Sequence, residues 1–260
     1  MSPELTHLLQ TLIWNCGQHI QPFFKGGKAD GNWRNLDIFY KSGDDCIATA
    51  AGQVTFSPSW FEQAHDVSKM SLKQRLTDQS PVKGPCHHLK PSVSLRPETF
   101  GGAGREWLSD MTESSTLLSS IVRVIHPELY AMGIETMKKM GMMVDPPAVL
   151  RLWYSIFNGV QVISNRETPV HRDHNSRWEW YDLLATLGPY QGAILELPGV
   201  GLRFSYESGT VLGICGRLLR HGVSEAVGER FCLAYFMREN VQKRMETPYA
   251  GLNNWDSYKN

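Results

Sequence analysis

The sequence lacks the features that would place it in several simple classes. It has no run of about 18 apolar residues, the least that a membrane-spanning helix needs. No basic-then-apolar leader pattern occurs over Met1 to Cys16. Net charge is zero, with 26 basic and 26 acidic residues, so any attraction to nucleic acid must come from a local basic surface. The five cysteines (Cys16, Cys46, Cys86, Cys215, Cys232) are odd in number and show no C-x-x-C spacing. That argues against a disulfide framework and fits a reduced, intracellular compartment. No internal repeat or low-complexity tract is evident. What the chain does have is 260 residues, 42% hydrophobic content and eight tryptophans, enough for one folded domain with a sizeable core.

Residues 1–106 read as a mixed α/β extension. A helix is expected from Pro3 to Cys16, then a Gly-rich stretch from Gly26 to Gly31 and short strands at Ile38–Tyr40 and Cys46–Phe56. Ser57-Pro58-Ser59 resembles a helix start, with the helix running to Leu76. The loop over 80–105 is rich in Pro, Gly and Ser and sets Lys83, Lys90, Arg96 and Arg105 against Glu98. It reads either as a solvated loop or as a nucleic-acid contact. Cys86-His87-His88 within it has no second ligand pair at finger spacing, so a solvated loop is favoured over zinc.

Residues 107–245 are better patterned. Helices are expected at Trp107–Ile121 and Pro127–Met140, the latter with Leu129, Met132, Ile134 and Met137 near helical spacing. Strand-like runs follow: Val149–Phe157, Val160–Ser164, Pro169–Asp173, Ala193–Leu197, Leu202–Tyr206, Thr210–Cys215, Leu218–Val223 and Phe231–Arg238. Turn signals such as Asn158-Gly159, Pro198-Gly199 and Ser208-Gly209 separate several of them. The expected fold is α+β, a jelly roll (double-stranded β-helix) with the helices covering one sheet.

Within that core, His171-Arg172-Asp173 carries the chemistry. Residues i and i+2 of a strand share a face, so His171 and Asp173 can offer an imidazole and a carboxylate together. His221, from a neighbouring strand, would complete the two-histidine, one-carboxylate set of non-haem Fe(II) oxygenases, which leaves coordination positions open. Such an enzyme using a 2-oxo acid needs a cation for the far carboxylate, and Arg230, across a short turn from His221, suits it. His174 alternates to the opposite face and reads as a surface or supporting residue. Arg151 could assist the 2-oxo acid or form a buried pair. His126, before Pro127, reads as a helix-start residue.

These segments also resemble a known family. Phe157-Asn158-Gly159-Val160 followed by Val170-His171-Arg172-Asp173-His174-Asn175 is similar to the core of the TET/JBP family of Fe(II)- and 2-oxoglutarate-dependent nucleic-acid base dioxygenases. The chain is a residue shorter than TET proteins between Asp173 and His174-Asn175. The closing strand from Arg230 to Asn240 resembles the family's last strand. Trp180-Tyr181-Asp182-Leu183-Leu184 and Leu197-Pro198-Gly199 look like its compact fungal branch. The likeness spans roughly 149–241.

The resemblance implies His171, Asp173 and His221 as iron ligands and Arg230 as the 2-oxoglutarate partner. It implies Asn175 as a hydrogen-bond partner of a flipped base and Phe236 as the ring stacked on it. Arg238 stands where TET enzymes place a base-contacting histidine; it would touch phosphate or simply be exposed. The implied activity is stepwise oxidation of 5-methylcytosine in DNA to hydroxymethyl-, formyl- and carboxylcytosine. Fe(II), 2-oxoglutarate and O₂ would be consumed or bound, with ascorbate as an assisting reductant. The implied setting is a monomer in the nucleus, acting on methylated DNA and no membrane. The same chemistry on N6-methyladenine, another base, a protein or a small molecule is the alternative. A non-catalytic jelly-roll binding module fits less well with an intact triad and Arg230.

Overall fold

The computed structural model of the chain describes residues 33–42, 48–61, 89–97, 100–143, 148–174 and 176–258, with separate positions within 11–24 and at 44 and 46. Its strands are β1 (Gly52–Phe56), β2 (Trp60–Phe61), β3 (Leu89–Lys90), β4 (Gly159–Ser164), β5 (Thr168–His171), β6 (Asp182–Leu187) and β7 (Tyr190–Gln191). They continue as β8 (Ile194–Leu197), β9 (Leu202–Ser205), β10 (Val211–Ile214), β11 (His221–Val223), β12 (Val227–Gly228) and β13 (Phe231–Phe236). The helices are α1 (Ala103–Asp110), α2 (Thr112–Ile125), α3 (Pro127–Gly141) and α4 (Glu239–Arg244).

Two antiparallel sheets make the core, in the orders β1-β4-β13-β6-β10 and β5-β11-β8-β9. From β4 to β13 the chain passes back and forth between these sheets, so the first and last strands of the series, β4 and β13, pair side by side. That winding is the double-stranded β-helix, and with the helices it makes the fold α+β. Closing the chain on itself in this way leaves β5 and β11 side by side in the four-stranded sheet.

Alternation on the five-stranded sheet separates two environments. Val160 and Val162 of β4, Leu183 and Ala185 of β6, and Leu233 and Tyr235 of β13 join one buried cluster with Trp107, Leu118 and Val122 of the helices. Trp107 stacks on Phe56 at 4.6 Å, and the Tyr235 and Ser115 hydroxyls meet at 3.1 Å. Truncating a ring as buried as Phe56 would cost about 3–5 kcal/mol. The residues between, Gln161, Leu184, Ala234 and Phe236, turn to the other face and line a cavity there.

Local chemistry explains several boundaries. Helix α3 opens with Pro127, whose missing N–H is no loss in a first turn, and ends with Lys138 and Lys139 near its negative pole. The His126 Nδ1 caps it by accepting from the Leu129 N–H at 3.3 Å. Asn165 adopts φ 50°, a left-handed conformation that asparagine tolerates. Its side chain donates to the Thr49 carbonyl and accepts from the Arg230 N–H, both at 2.8 Å, fixing the entry to β13.

Some expected elements differ. Ile38–Tyr40 is not a strand: Asp37–Phe39 forms a 3-10 turn, and only Tyr40 bridges, to Arg166. Trp60 and Phe61 are a strand paired with Leu89–Lys90, not the start of a helix, and Val93–Leu95 is a 3-10 turn inside the expected loop. Val149–Phe157 is likewise no strand, because Ala148–Leu152 forms a 3-10 turn and irregular chain follows. The expected Trp107–Ile121 helix is broken at Met111, where α1 gives way to α2. Strand β6 was legible only as a family-like run, and α4 was not anticipated. The Gly-rich stretch, most of the first helix, the segment to Leu76 and Cys86-His87-His88 lie outside the described residues.

Candidate active site

His171 ends β5 and His221 opens β11, and the two are register partners across the four-stranded sheet. Their rings lie 4.3 Å apart, centroid to centroid. His171 Nδ1 is 2.9 Å from the Pro169 carbonyl and His221 Nδ1 is 3.1 Å from that of Leu219. A carbonyl only accepts, so each Nδ1 carries the proton and each Nε2 keeps its lone pair. Both Nε2 atoms stand 3.5 Å from the Asp173 carboxylate, His171 from Oδ1 and His221 from Oδ2.

Asp173 reaches this position by a different route from the one expected. Strand β5 stops at His171, so strand alternation does not carry the carboxylate; the Asp173 N–H instead donates to the Gly216 carbonyl at 3.0 Å. Gly216 must be small. A Cβ there would fall 2.6 Å from Asp173 Oδ2, 2.9 Å from Asp182 Oδ2 and 3.3 Å from His221 Cε1.

The electrostatics suit a cation. Burial alone would raise the Asp173 carboxyl, but in acid the hydrogen bond and charge of the protonated imidazoles of His171 and His221, with the Arg34 charge, outweigh it and hold it down at about 2. Arg34 donates to Asp173 Oδ1 at 2.7 Å, and its neighbour Trp33 packs on the His171 ring at 4.6 Å. Burial, then the charge of His171, lowers the His221 imidazole and keeps it neutral. Burial, then the Asp173 carboxylate, pushes the Asp182 carboxyl well above its usual range.

The donor set fits a metal. One ligand atom from each of His171, Asp173 and His221 lies within 4.8 Å of the others, the lone pairs converge, and the outer nitrogens are held by backbone carbonyls. Two nitrogens and one carboxylate leaving open positions are the pattern for Fe(II).

A cavity of about 300 Å³ adjoins Asp173, with Phe236 and Arg238 on its wall. Gly159 makes room for the Phe236 ring, since a Cβ there would come within 2.7 Å of it. The Arg238 guanidinium lies 5.2 Å from the centre of that ring, and the Arg238 N–H donates to Asn158 Oδ1 at 2.7 Å. Arg238 is therefore a cavity residue and not simply exposed.

Arg230 is buried, not at this cavity but at a smaller one of about 80 Å³ that Lys41 and Arg166 also line. Its Nη2 donates to the Arg166 carbonyl at 2.9 Å and its Nη1 to Thr186 Oγ1 at 3.4 Å. His221 and Arg230 were expected to share one pocket, but Arg230 lines the smaller cavity and His221 lines neither of the two, Asp173 being the triad residue on the wall of the larger. Arg151 is exposed in the 3-10 turn and lines neither cavity, which rules out the buried pair considered for it. His174 is exposed but lines the same cavity as Asp173, because the chain beyond His171 is no longer strand and the expected alternation to the opposite face does not apply. Asn175 lies outside the described residues.

Sequence reasoning missed Trp33, Arg34, Gly216 and the chemistry of Asp182. Asp182 alone had a signal, an acid opening the apolar run Leu183-Leu184-Ala185.

A family model described as the oxygenase domain of the 2OGFeDO superfamily, Tet_JBP, matches residues 99–239. The chain belongs to the Tet_JBP family. It is accordingly an Fe(II)- and 2-oxoglutarate-dependent oxygenase, and the triad is where its residues accommodate the iron. Among solved structures the Tet_JBP chain is similar to NgTET1, described in complex with 5mC DNA, at 18% identity and a TM-score of 0.44. That similarity covers 65% of this chain and 61% of NgTET1, less than two thirds of the latter's length. None of the curated proteins matches the chain.

Proposed function

We propose that this Tet_JBP domain oxidises 5-methylcytosine in DNA, stepwise to 5-hydroxymethyl-, 5-formyl- and 5-carboxylcytosine, on a base flipped out of the duplex. The observation that carries the proposal is the cavity against Asp173, bounded by the Phe236 ring and the Arg238 guanidinium. Its volume of about 300 Å³ sits at the low end of small-ligand sites and suits a single base. A methyl within a stacked duplex cannot enter such a site, so flipping, at a cost of a few kcal/mol, is required. Stacking on Phe236 would return roughly 1–3 kcal/mol.

Bound iron and 2-oxoglutarate supply oxidation of a C–H bond by O₂, with the 2-oxo acid converted to succinate and CO₂. The chain's own residues do the rest. His171, Asp173 and His221 hold the metal, with Trp33 packed against one imidazole. Arg230 pairs with a cofactor carboxylate, as its planar, permanently charged fork allows. Phe236 and Arg238 orient the base.

Exposed basic residues near the triad in sequence support a polyanionic partner. Arg172, Arg217 and Arg220 are exposed, and Arg217 donates to the carbonyl of His174, a residue of the cavity wall. No acid occurs over residues 214–221. A nuclear location belongs to the same proposal. It is tested by supplying the protein with Fe(II), 2-oxoglutarate and air, together with duplexes carrying 5-methylcytosine, N6-methyladenine or neither. Nucleoside mass spectrometry should find oxidised cytosine only with the first. Oxidised adenine alone, or no oxidised base, would overturn the proposal.

A further inference from the structure

Asp182 opens β6 in surroundings that leave its carboxyl unused. The residue is only 5% exposed, and its Oδ1 has no hydrogen-bond partner among the described residues. It nevertheless lines the cavity that Asp173 lines. A buried carboxyl oxygen without a partner is costly, and native structures hold few of them. Such a group, on a residue that borders the substrate cavity, fits one that gains its partner when the substrate enters.

Its position narrows what that partner is. The point where a Gly216 Cβ would stand is 2.6 Å from Asp173 Oδ2 and 2.9 Å from Asp182 Oδ2, so the two carboxyls converge. A group that meets Asp182 is therefore a close neighbour of whatever group lies at the triad. Asp182 and Leu184 share a strand face. Both border the cavity beside Ala234 and Phe236 of the adjoining strand β13.

We infer that Asp182 is a specificity-determining residue that accepts a hydrogen bond from an amino group adjacent to the methyl under oxidation. The inference rests on the base-oxidation reading. In 5-methylcytosine the C5 methyl and the C4 amino group are ring neighbours, which matches the convergence of Asp173 and Asp182. Thymine carries the same methyl beside a C4 carbonyl oxygen. Thymine's C4 oxygen has no proton to give the unpartnered Oδ1, which stays an unmet acceptor even when Oδ2 carries a proton toward Asp173, and sites built around one hydrogen bond reject substrates that cannot make it.

The test uses the full chain with Fe(II) and 2-oxoglutarate, on duplexes that differ only in one target base, 5-methylcytosine or thymine. The target stands opposite an abasic site, so that pairing energy is the same in both. Wild type should favour 5-methylcytosine at least about tenfold in kcat/KM. Asp182→Asn replaces one oxygen with a donor that thymine can use and should narrow the ratio to about threefold or less. Asp182→Ser, which also keeps a donor, should narrow it too. Fluorescence anisotropy of the same duplexes under anaerobic conditions should show the same narrowing in affinity. A ratio preserved in both variants, or no preference in wild type, overturns the role of Asp182 while base oxidation stands. A wild type that oxidises no methylated base overturns both.

Discussion

His171 and His221 face each other across β5 and β11 as register partners, each with its Nδ1 proton given to a backbone carbonyl two residues earlier. The sheet and the chain's own carbonyls thus aim both Nε2 lone pairs before any metal arrives. Supporting contacts of this kind are commonly worth 10–100-fold in metal affinity.

Gly216 is the closest such support on the carboxylate side. Gly216→Ala would bring a methyl within 2.6 Å of Asp173 Oδ2 and must displace that carboxylate. Anaerobic titration should show metal affinity reduced about 10–100-fold with the melting temperature little changed. Unaltered affinity would mean that the carboxylate has room to shift.

Arg230→Met should raise the apparent KM for 2-oxoglutarate at least about tenfold, because a charged fork gives way to an uncharged chain of similar length. Steady-state succinate formation measures this. An unchanged requirement would remove Arg230 from the cofactor's binding and point to another cation.

Acid stability should depend on His126. The residue is fully buried, and burial lowers its imidazole below the ordinary value. Below about pH 6.5 the unfolded chain takes up a proton that the folded chain resists, so stability falls as pH falls. His126→Asn keeps a cap for α3 without the titration. Its melting temperature should decline less steeply between about pH 6.5 and 5. An equally steep decline would assign the acid sensitivity to other groups, His221 first.

Binding to DNA should be salt-dependent through these exposed basic residues. Arg172→Ala and Arg220→Ala should each weaken binding across sequences and lower the slope of log affinity against log salt by about one. Fluorescence anisotropy over a salt series reads both, and slopes equal to wild type would place the phosphate contacts elsewhere.

The sequence made the triad legible because two histidines and a carboxylate near strand ends are few and chemically distinctive. Its stated geometry was only partly right. Asp173 lies beyond the end of β5 and depends on a hydrogen bond to Gly216, a contact that no periodicity announces. Alternation served best where strands are longest, as in β4 and β13, whose two faces divide cleanly between core and cavity. It failed at Val149–Phe157, where apolar residues belong to a 3-10 turn and irregular chain packed under the helices. Trp33 and Arg34 were invisible because they meet His171 and Asp173 only after the N-terminal segment docks on the core. Asp182 was in view but without a role, since its meaning comes from the cavity it borders.

The most direct test is anaerobic Fe(II) titration of the purified chain, with Asp173→Ala and His221→Ala in parallel. Wild type should bind about one iron per chain, and each variant should lose at least about a hundredfold in affinity while keeping its fold. Iron binding that survives both substitutions, or its absence in wild type, would contradict the assignment of His171, Asp173 and His221 as the metal centre.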